Sequence, residues 1–156
     1  MGNELKVGQK APAFSLPRDG GGTVSPAQFK GRKLVIYFYP RADTPGCTRE
    51  SIDFSQLRAD FDQAGTDILG VSADPVKAQD AFKKKHDLTI GLLSDETHQM
   101  LESYGAWGKK SMYGKSFTGI IRSTFLLGPD GRIAQIWPKV KVEGHAAEVL
   151  KAAQAL

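Results

Sequence analysis

KLVIYFYPRADTPGCTRE, residues 33–50, is the stretch whose reading decides the fold. Lys33 to Tyr39 is an unbroken β-branched and aromatic run, as expected of a strand buried on both faces beside parallel neighbours. Pro40 ends it, because proline has no N–H to give a sheet ladder. Beyond the polar loop, apolar Ile52, Phe54, Leu57 and Phe61 recur at spacings of 3 and 4, which predicts a helix packed on one side and closing near Gly65. Cys47 falls at the start of that helix. A buried strand, a polar loop and a helix in succession mark the edge at which open α/β sheets bind ligands.

Downstream, Asp67 to Ser72 reads as a second strand, and Asp74-Pro75 as an N-cap with proline at the first helical position, opening a helix to about Asp87. Leu92 to Ser94 is a short strand, and Asp95 is expected to cap a helix running to about Tyr104. Gly105 to Gly119 reads as polar, glycine-rich and irregular. Ile121 to Leu127 and Arg132 to Trp137, joined by Gly128-Pro129-Asp130-Gly131, predict an antiparallel hairpin, and an amphipathic helix follows from about Glu143 to Ala155. Upstream, Val7 to Leu16 with Pro12, Pro17 and Gly20 to Gly22 predicts a small N-terminal hairpin. The order predicts an α/β fold of thioredoxin-like topology, a mixed central sheet flanked by helices with an N-terminal β-hairpin extension. One domain is expected over residues 1–156, a length suited to a single core.

Composition narrows the function classes. The net charge of +4 comes from 21 basic and 17 acidic residues spread along the chain, which gives little support to nucleic-acid binding. Lys83-Lys84-Lys85 reads as a solvated helix face, since no interleaved aromatics accompany it. Met1 to Lys10 has no apolar core of a signal peptide, and the run Leu34 to Tyr39 is too short to cross a bilayer, so a soluble cytoplasmic protein is expected. His86, His98 and His145 are scattered without metal-ligand spacing. Surface or capping roles are expected for them, with no metal and no cofactor.

The single cysteine carries the chemistry. A lone Cys is more often a buried packing residue than a reagent, but Cys47 lies in the polar run Thr44-Pro45-Gly46-Cys47-Thr48, outside any apolar stripe. A helix N-terminus favours the nucleophilic thiolate through free N–H groups and the positive end of the macrodipole. Gly46 lets the backbone approach a substrate, and the Thr44 hydroxyl, both donor and acceptor, suits one oxygen of a small polar substrate while sulfur attacks the other. Glu50, one turn on, reads equally as a partner for a cation at the site or as a first-turn carboxylate near the helix dipole.

Pro40 to Cys47 resembles the P-x-x-x-T-x-x-C signature of the peroxiredoxins, and YFYPRADTPGCTRE resembles the bacterioferritin comigratory protein, or PrxQ, subfamily. The resemblance runs from about Leu5 to the C-terminus and includes Gly70-Val71-Ser72, Leu93-Ser94-Asp95, Met112-Tyr113-Gly114-Lys115 and Arg122-Ser123-Thr124-Phe125-Leu126. It implies a hydroperoxide reductase in which Cys47 is the peroxidatic cysteine, Thr44 binds the peroxide, Arg122 supports the thiolate and the leaving oxygen, and Pro40 shields the sulfur from water. Glu50 would then hold Arg122 in place. Relatives often carry a resolving cysteine at the position of Ile52, or on the next helix where this chain has Phe82 and Lys83. Neither thiol is present, which makes this a 1-Cys type whose sulfenic acid needs an external thiol: thioredoxin by resemblance, or glutaredoxin or glutathione. The resemblance also implies a monomer.

Two other classes stay open at this level. A redox sensor or relay would pass oxidation of Cys47 to a partner protein through a mixed disulfide, and a basic binding module would leave the thiol inert. Trp107, Met112, Tyr113 and Phe117 either wall the peroxide pocket or only anchor their loop.

Overall fold

The computed structural model describes residues 5–112 and 114–156. In chain order the elements are β1 (Leu16–Pro17), β2 (Thr23–Val24), β3 (Lys33–Phe38), α1 (Pro45–Gln56), α2 (Arg58–Gln63), β4 (Thr66–Ser72), α3 (Val76–His86), β5 (Gly91–Ser94), α4 (Gln99–Ser103), β6 (Trp107–Met112), β7 (Lys115–Ile120), β8 (Ser123–Leu127), β9 (Ile133–Trp137) and α5 (His145–Ala155). The central sheet has the order β5-β4-β3-β8-β9. β3 is parallel to β4 and β4 to β5, while β3 with β8 and β8 with β9 are antiparallel. This is the expected mixed sheet, and β1 and β2 form the expected N-terminal hairpin.

β3 is central because both its faces are apolar, and strand alternation divides its residues between two core layers. Leu34, Ile36 and Phe38 pack with Phe14, Leu16, Leu101, Tyr104 and Phe125. Val35, Tyr37 and Tyr39 pack on the other face with Phe54, Phe61, Phe82 and Val149, residues of α1, α2, α3 and α5, and Cys47 lies in this second layer. Tyr37 stacks on Phe54 with ring centroids 4.7 Å apart. Its Cα partner on β4 is Gly70, where a Cβ would stand 2.7 Å from the Tyr37 ring, so glycine is what leaves the tyrosine its room.

The structure corrects several sequence expectations. Residues 105–119 are not irregular: β6 and β7 form an antiparallel hairpin from Trp107↔Ile120 to Met112↔Lys115. Its strands are rich in Gly, Lys and Ser, with weak strand propensity, and only the Trp107 and Ile120 end reaches the core. The ladder rather than burial holds it. Trp107 stacks on His98 at 4.0 Å, which is the anchoring role, whereas Phe117 is 44% exposed. Tyr113 lies outside the described residues, as does the side chain of Met112. The helix after Cys47 is interrupted at Leu57, giving α1 and α2, a break that turns Phe61 back to within 5.9 Å of the Phe54 ring.

Asp74 does not cap α3. Pro75 takes the cap position and the helix begins at Val76, because the Asp74 carboxylate is committed to Ala42 N–H and Ser72 Oγ, each at 2.7 Å. α4 begins later than expected, at Gln99, with Asp95 Oδ2 accepting from Leu101 N–H at 2.7 Å. Arg122 lies in the connection before β8, not on a strand, and α5 begins at His145 rather than Glu143. His145 is no surface residue: it is 5% exposed, shares a 2.8 Å hydrogen bond with Thr124 Oγ1 and meets Phe54 edge-on.

Candidate active site

The ladder between β3 and β4 reaches Tyr39, whose N–H donates to Val71 O, and half-buried Pro40 then begins the loop to α1. Thr44 is the extended N-cap residue, Pro45 the first helical residue, and Cys47 the third. No side chain caps this helix. The Thr44 hydroxyl instead donates to Arg41 O at 2.8 Å, which leaves its lone pairs as acceptors. The N–H groups of Gly46 and Cys47 belong to the first helical turn, where no intrahelical acceptor exists.

Cys47 is fully buried, and Arg122, 75 residues along the chain, donates from Nη2 to its Sγ at 3.3 Å. Nη1 of the same guanidinium donates to Glu50 Oε1 at 2.6 Å. The planar fork thus spans sulfur and carboxylate at once, which a lysine ammonium would do less well. Gly46 makes room for it, since a Cβ there would lie 3.1 Å from Arg122 Nη2. Glu50 is almost fully buried and its Oε2 has no partner among the described residues. Burial pushes its carboxyl up to about 7 against the pull of Arg122. Burial likewise works against the charge of Arg122, but Glu50 and Cys47 outweigh it and hold the guanidinium above its ordinary value.

The loop is pinned from both ends of α3. Ala42 N–H is held by Asp74, and Asp43, in a left-handed conformation at φ 63°, meets Lys85 Nζ and His86 Nε2 at 2.8 Å each. Asp74 and Lys110 were not legible as site residues. Asp74 follows the carboxyl end of β4, and the parallel pairing of β3 with β4 carries that end to the loop before Cys47. Lys110 stands on β6 within electrostatic reach of Arg122 and Cys47, and burial, with Arg122, lowers its ammonium from the ordinary value. No sequence pattern marked it, because the hairpin that carries it shows no apolar alternation.

The structure therefore brings Cys47, Arg122, Glu50 and Gly46 together, with Thr44 and Pro40 on the adjoining loop. Ile52 and Phe82, two positions at which the resemblance implies a resolving thiol, pack in the same apolar layer as Cys47, and Lys83 pairs with Asp19 at 2.8 Å. A cavity of about 540 Å³ floored by Phe14, Leu34 and Leu127 opens at the opposite end of the sheet and does not include Cys47. Among the described residues, no group of three or more His, Cys, Asp or Glu is placed to hold a metal ion, and no helix is long and apolar enough to cross a membrane.

The sequence of residues 7–136 matches the AhpC/TSA family. The chain belongs to that family. It is 47% identical over 146 residues to a putative peroxiredoxin Bcp of Coxiella burnetii, covering 94% of this chain and 97% of that one. Identity to peroxiredoxin Bcp of Bacillus subtilis is 43% over 147 residues, 94% of each chain. Among solved structures, a PrxQ mutant of Xylella fastidiosa superposes with a TM-score of 0.93 at 36% identity, over 99% of this chain and 98% of that one. A bacterioferritin comigratory protein of Xanthomonas campestris, described for its alkyl peroxide reduction activity, gives 0.89 at 44%, over 96% and 98%. This peroxiredoxin thus has the thioredoxin-like fold and the thiol-dependent peroxidase activity of its family, with a single cysteine. A peroxide substrate and a thiol reductant follow from that chemistry.

Proposed function

We propose that Cys47 is the peroxidatic cysteine of a 1-Cys peroxidase acting on hydrogen peroxide and organic hydroperoxides, the alkyl peroxide activity of the Xanthomonas relative extending to this chain. The 3.3 Å contact from Arg122 Nη2 to Cys47 Sγ, with Glu50 on the other arm of the fork, is the observation that carries the reading. The sulfur attacks the near oxygen of the O–O bond, forming Cys47 sulfenic acid, and the distal oxygen leaves as water or alcohol after taking a proton. Thr44 Oγ1 accepts from the peroxide O–H, and the free N–H groups of Gly46 and Cys47 face the oxygens. Arg122, charged throughout, stabilises the negative charge as it passes from sulfur to the leaving oxygen. Pro40 limits water at the sulfur, and Glu50 positions Arg122.

With one thiol in the chain, the sulfenic acid is regenerated by an external thiol: thioredoxin by family resemblance, or glutaredoxin or glutathione. Residues 1–156 form one cytoplasmic domain acting as a monomer. Stopped-flow mixing of the reduced protein with peroxide tests the site, and Cys47→Ser should abolish the reaction. A rate no better than that of free cysteine would end the reading. Mass spectrometry after one equivalent of peroxide, with and without each thiol, reads the second half-reaction. Poor turnover with all of them, alongside a trapped mixed disulfide with a partner protein, would favour a relay instead.

A further inference from the structure

The charges around Cys47 are one-sided. Among the described residues, the carboxylates of the Cys47 loop, of α1 and at the end of β4 each have a partner: Glu50 Oε1 has Arg122, Asp43 has Lys85 and His86, Asp53 has Arg49, and Asp74 has Ala42 N–H and Ser72. Other cations are not so paired. Among the described residues, no carboxylate lies within ion-pair distance of Arg41, Lys109, Lys110, Lys139 or Lys141. Lys110 pairs across the hairpin with Phe117, and its Nζ lies 5.9 Å from that ring's centroid. Both stand on the face of Gly108, where a Cβ would be 3.2 Å from Ile121 Cδ1, so this face is turned to the segment carrying Arg122. Exposed Lys139 and Lys141 flank Val140, whose N–H donates to Arg122 O at 3.0 Å.

A cationic collar whose members hold no carboxylate in ion-pair contact raises the local concentration of anions. The reaction needs a co-reactant from outside, because the chain has no second thiol, and the buried sulfur admits a narrow one more readily than a broad protein surface. We infer that the collar of Lys110, Lys139, Lys141 and Arg41 selects a small thiol bearing carboxylates as the reductant of oxidised Cys47. This inference rests on the peroxidase reading. The first thiol condenses with the sulfenic acid to give a mixed disulfide and water. A second attacks that disulfide, leaving the external disulfide and returning Cys47 as thiol, so two thiols are oxidised for each sulfenic acid reduced. The carboxylates pair with the collar while the thiol enters beside Phe117.

The test separates the two steps. Reduced protein receives one equivalent of peroxide, and sulfenic acid is scored by mass. Mercaptosuccinate, 2-mercaptoethanol and cysteamine, which are anionic, neutral and cationic, are then mixed with it, each rate being corrected for the fraction of thiolate. At about 10 mM ionic strength, where the Debye length is about 30 Å, mercaptosuccinate is expected to lead 2-mercaptoethanol by about tenfold, with cysteamine slowest. At about 1 M salt, where that length is about 3 Å, the order should collapse. Lys110→Glu and, independently, Lys141→Glu should slow mercaptosuccinate and speed cysteamine. If sulfenic acid forms but the corrected rates are equal and indifferent to salt, the collar has no role and the peroxidase reading stands. If no sulfenic acid forms, both fall together.

Discussion

At Gly46 the absence of one methyl group decides where a guanidinium sits. A Cβ there would press on Arg122 Nη2 at 3.1 Å, and the atom it meets is the end of a flexible side chain. Gly46→Ala should therefore leave the urea midpoint nearly unchanged while sulfenic acid formation slows about tenfold, a loss typical of a small displacement at a reacting centre. Arg122→Met removes the donor altogether, and stopped-flow rates should fall by about 10² to 10³, the usual cost of one preorganised donor. Arg122→Lys should recover only part of this, since the ammonium cannot span Cys47 and Glu50 as the fork does. The Thr44 to Cys47 end of this site was readable because it is local, a polar loop before an amphipathic helix. The Glu50 and Arg122 pair followed only from the family resemblance and from no local pattern, because 72 residues separate partners that only the sheet brings to 2.6 Å.

Elements rather than residues explain how the loop before Cys47 is held. β3 and β4 run parallel, so both carboxyl ends reach one edge, and Asp74 at the end of one receives Ala42 N–H from the loop after the other. Asp74→Ala would deprive Ala42 N–H and Ser72 Oγ of their acceptor at once. A loss of about 1–3 kcal/mol in urea unfolding is expected, together with faster amide exchange at Ala42. The strands β3, β4, β5 and β8 were legible because burial on both faces leaves a continuous apolar signature. The β6 and β7 hairpin was not, since Lys109, Lys110, Lys115 and Gly119 show no apolar alternation, and pairing between its own strands defines it. Asp74 followed by proline gave a sound local reason for a cap. That reason lost to a tertiary partner no local pattern could reveal.

For the whole molecule, two buried titratable groups oppose one another. Glu50 ionises near 4.5 when unfolded and at about 7 when folded, its burial being the main cause. The folded state therefore keeps a proton that the unfolded chain has lost, and Glu50 makes stability fall as pH rises from about 4.5 to 7, by on the order of 3 kcal/mol in all. His145 ionises near 6.5 when unfolded and at about 4 when folded, again chiefly through burial. Below 6.5 the unfolded chain takes a proton that the folded state refuses, so His145 makes stability fall as pH drops from about 6.5 to 4. Between 4.5 and 6.5 the two slopes have opposite sign and offset one another. Urea titrations across this range should show Glu50→Gln gaining stability with rising pH more steeply than the parent protein. His145→Gln, whose amide can still meet Thr124 Oγ1, should lose stability with rising pH instead. Parallel curves for parent and variant would mean that the group titrates alike in both states, and that the sheet does not shield it as its near-complete burial implies.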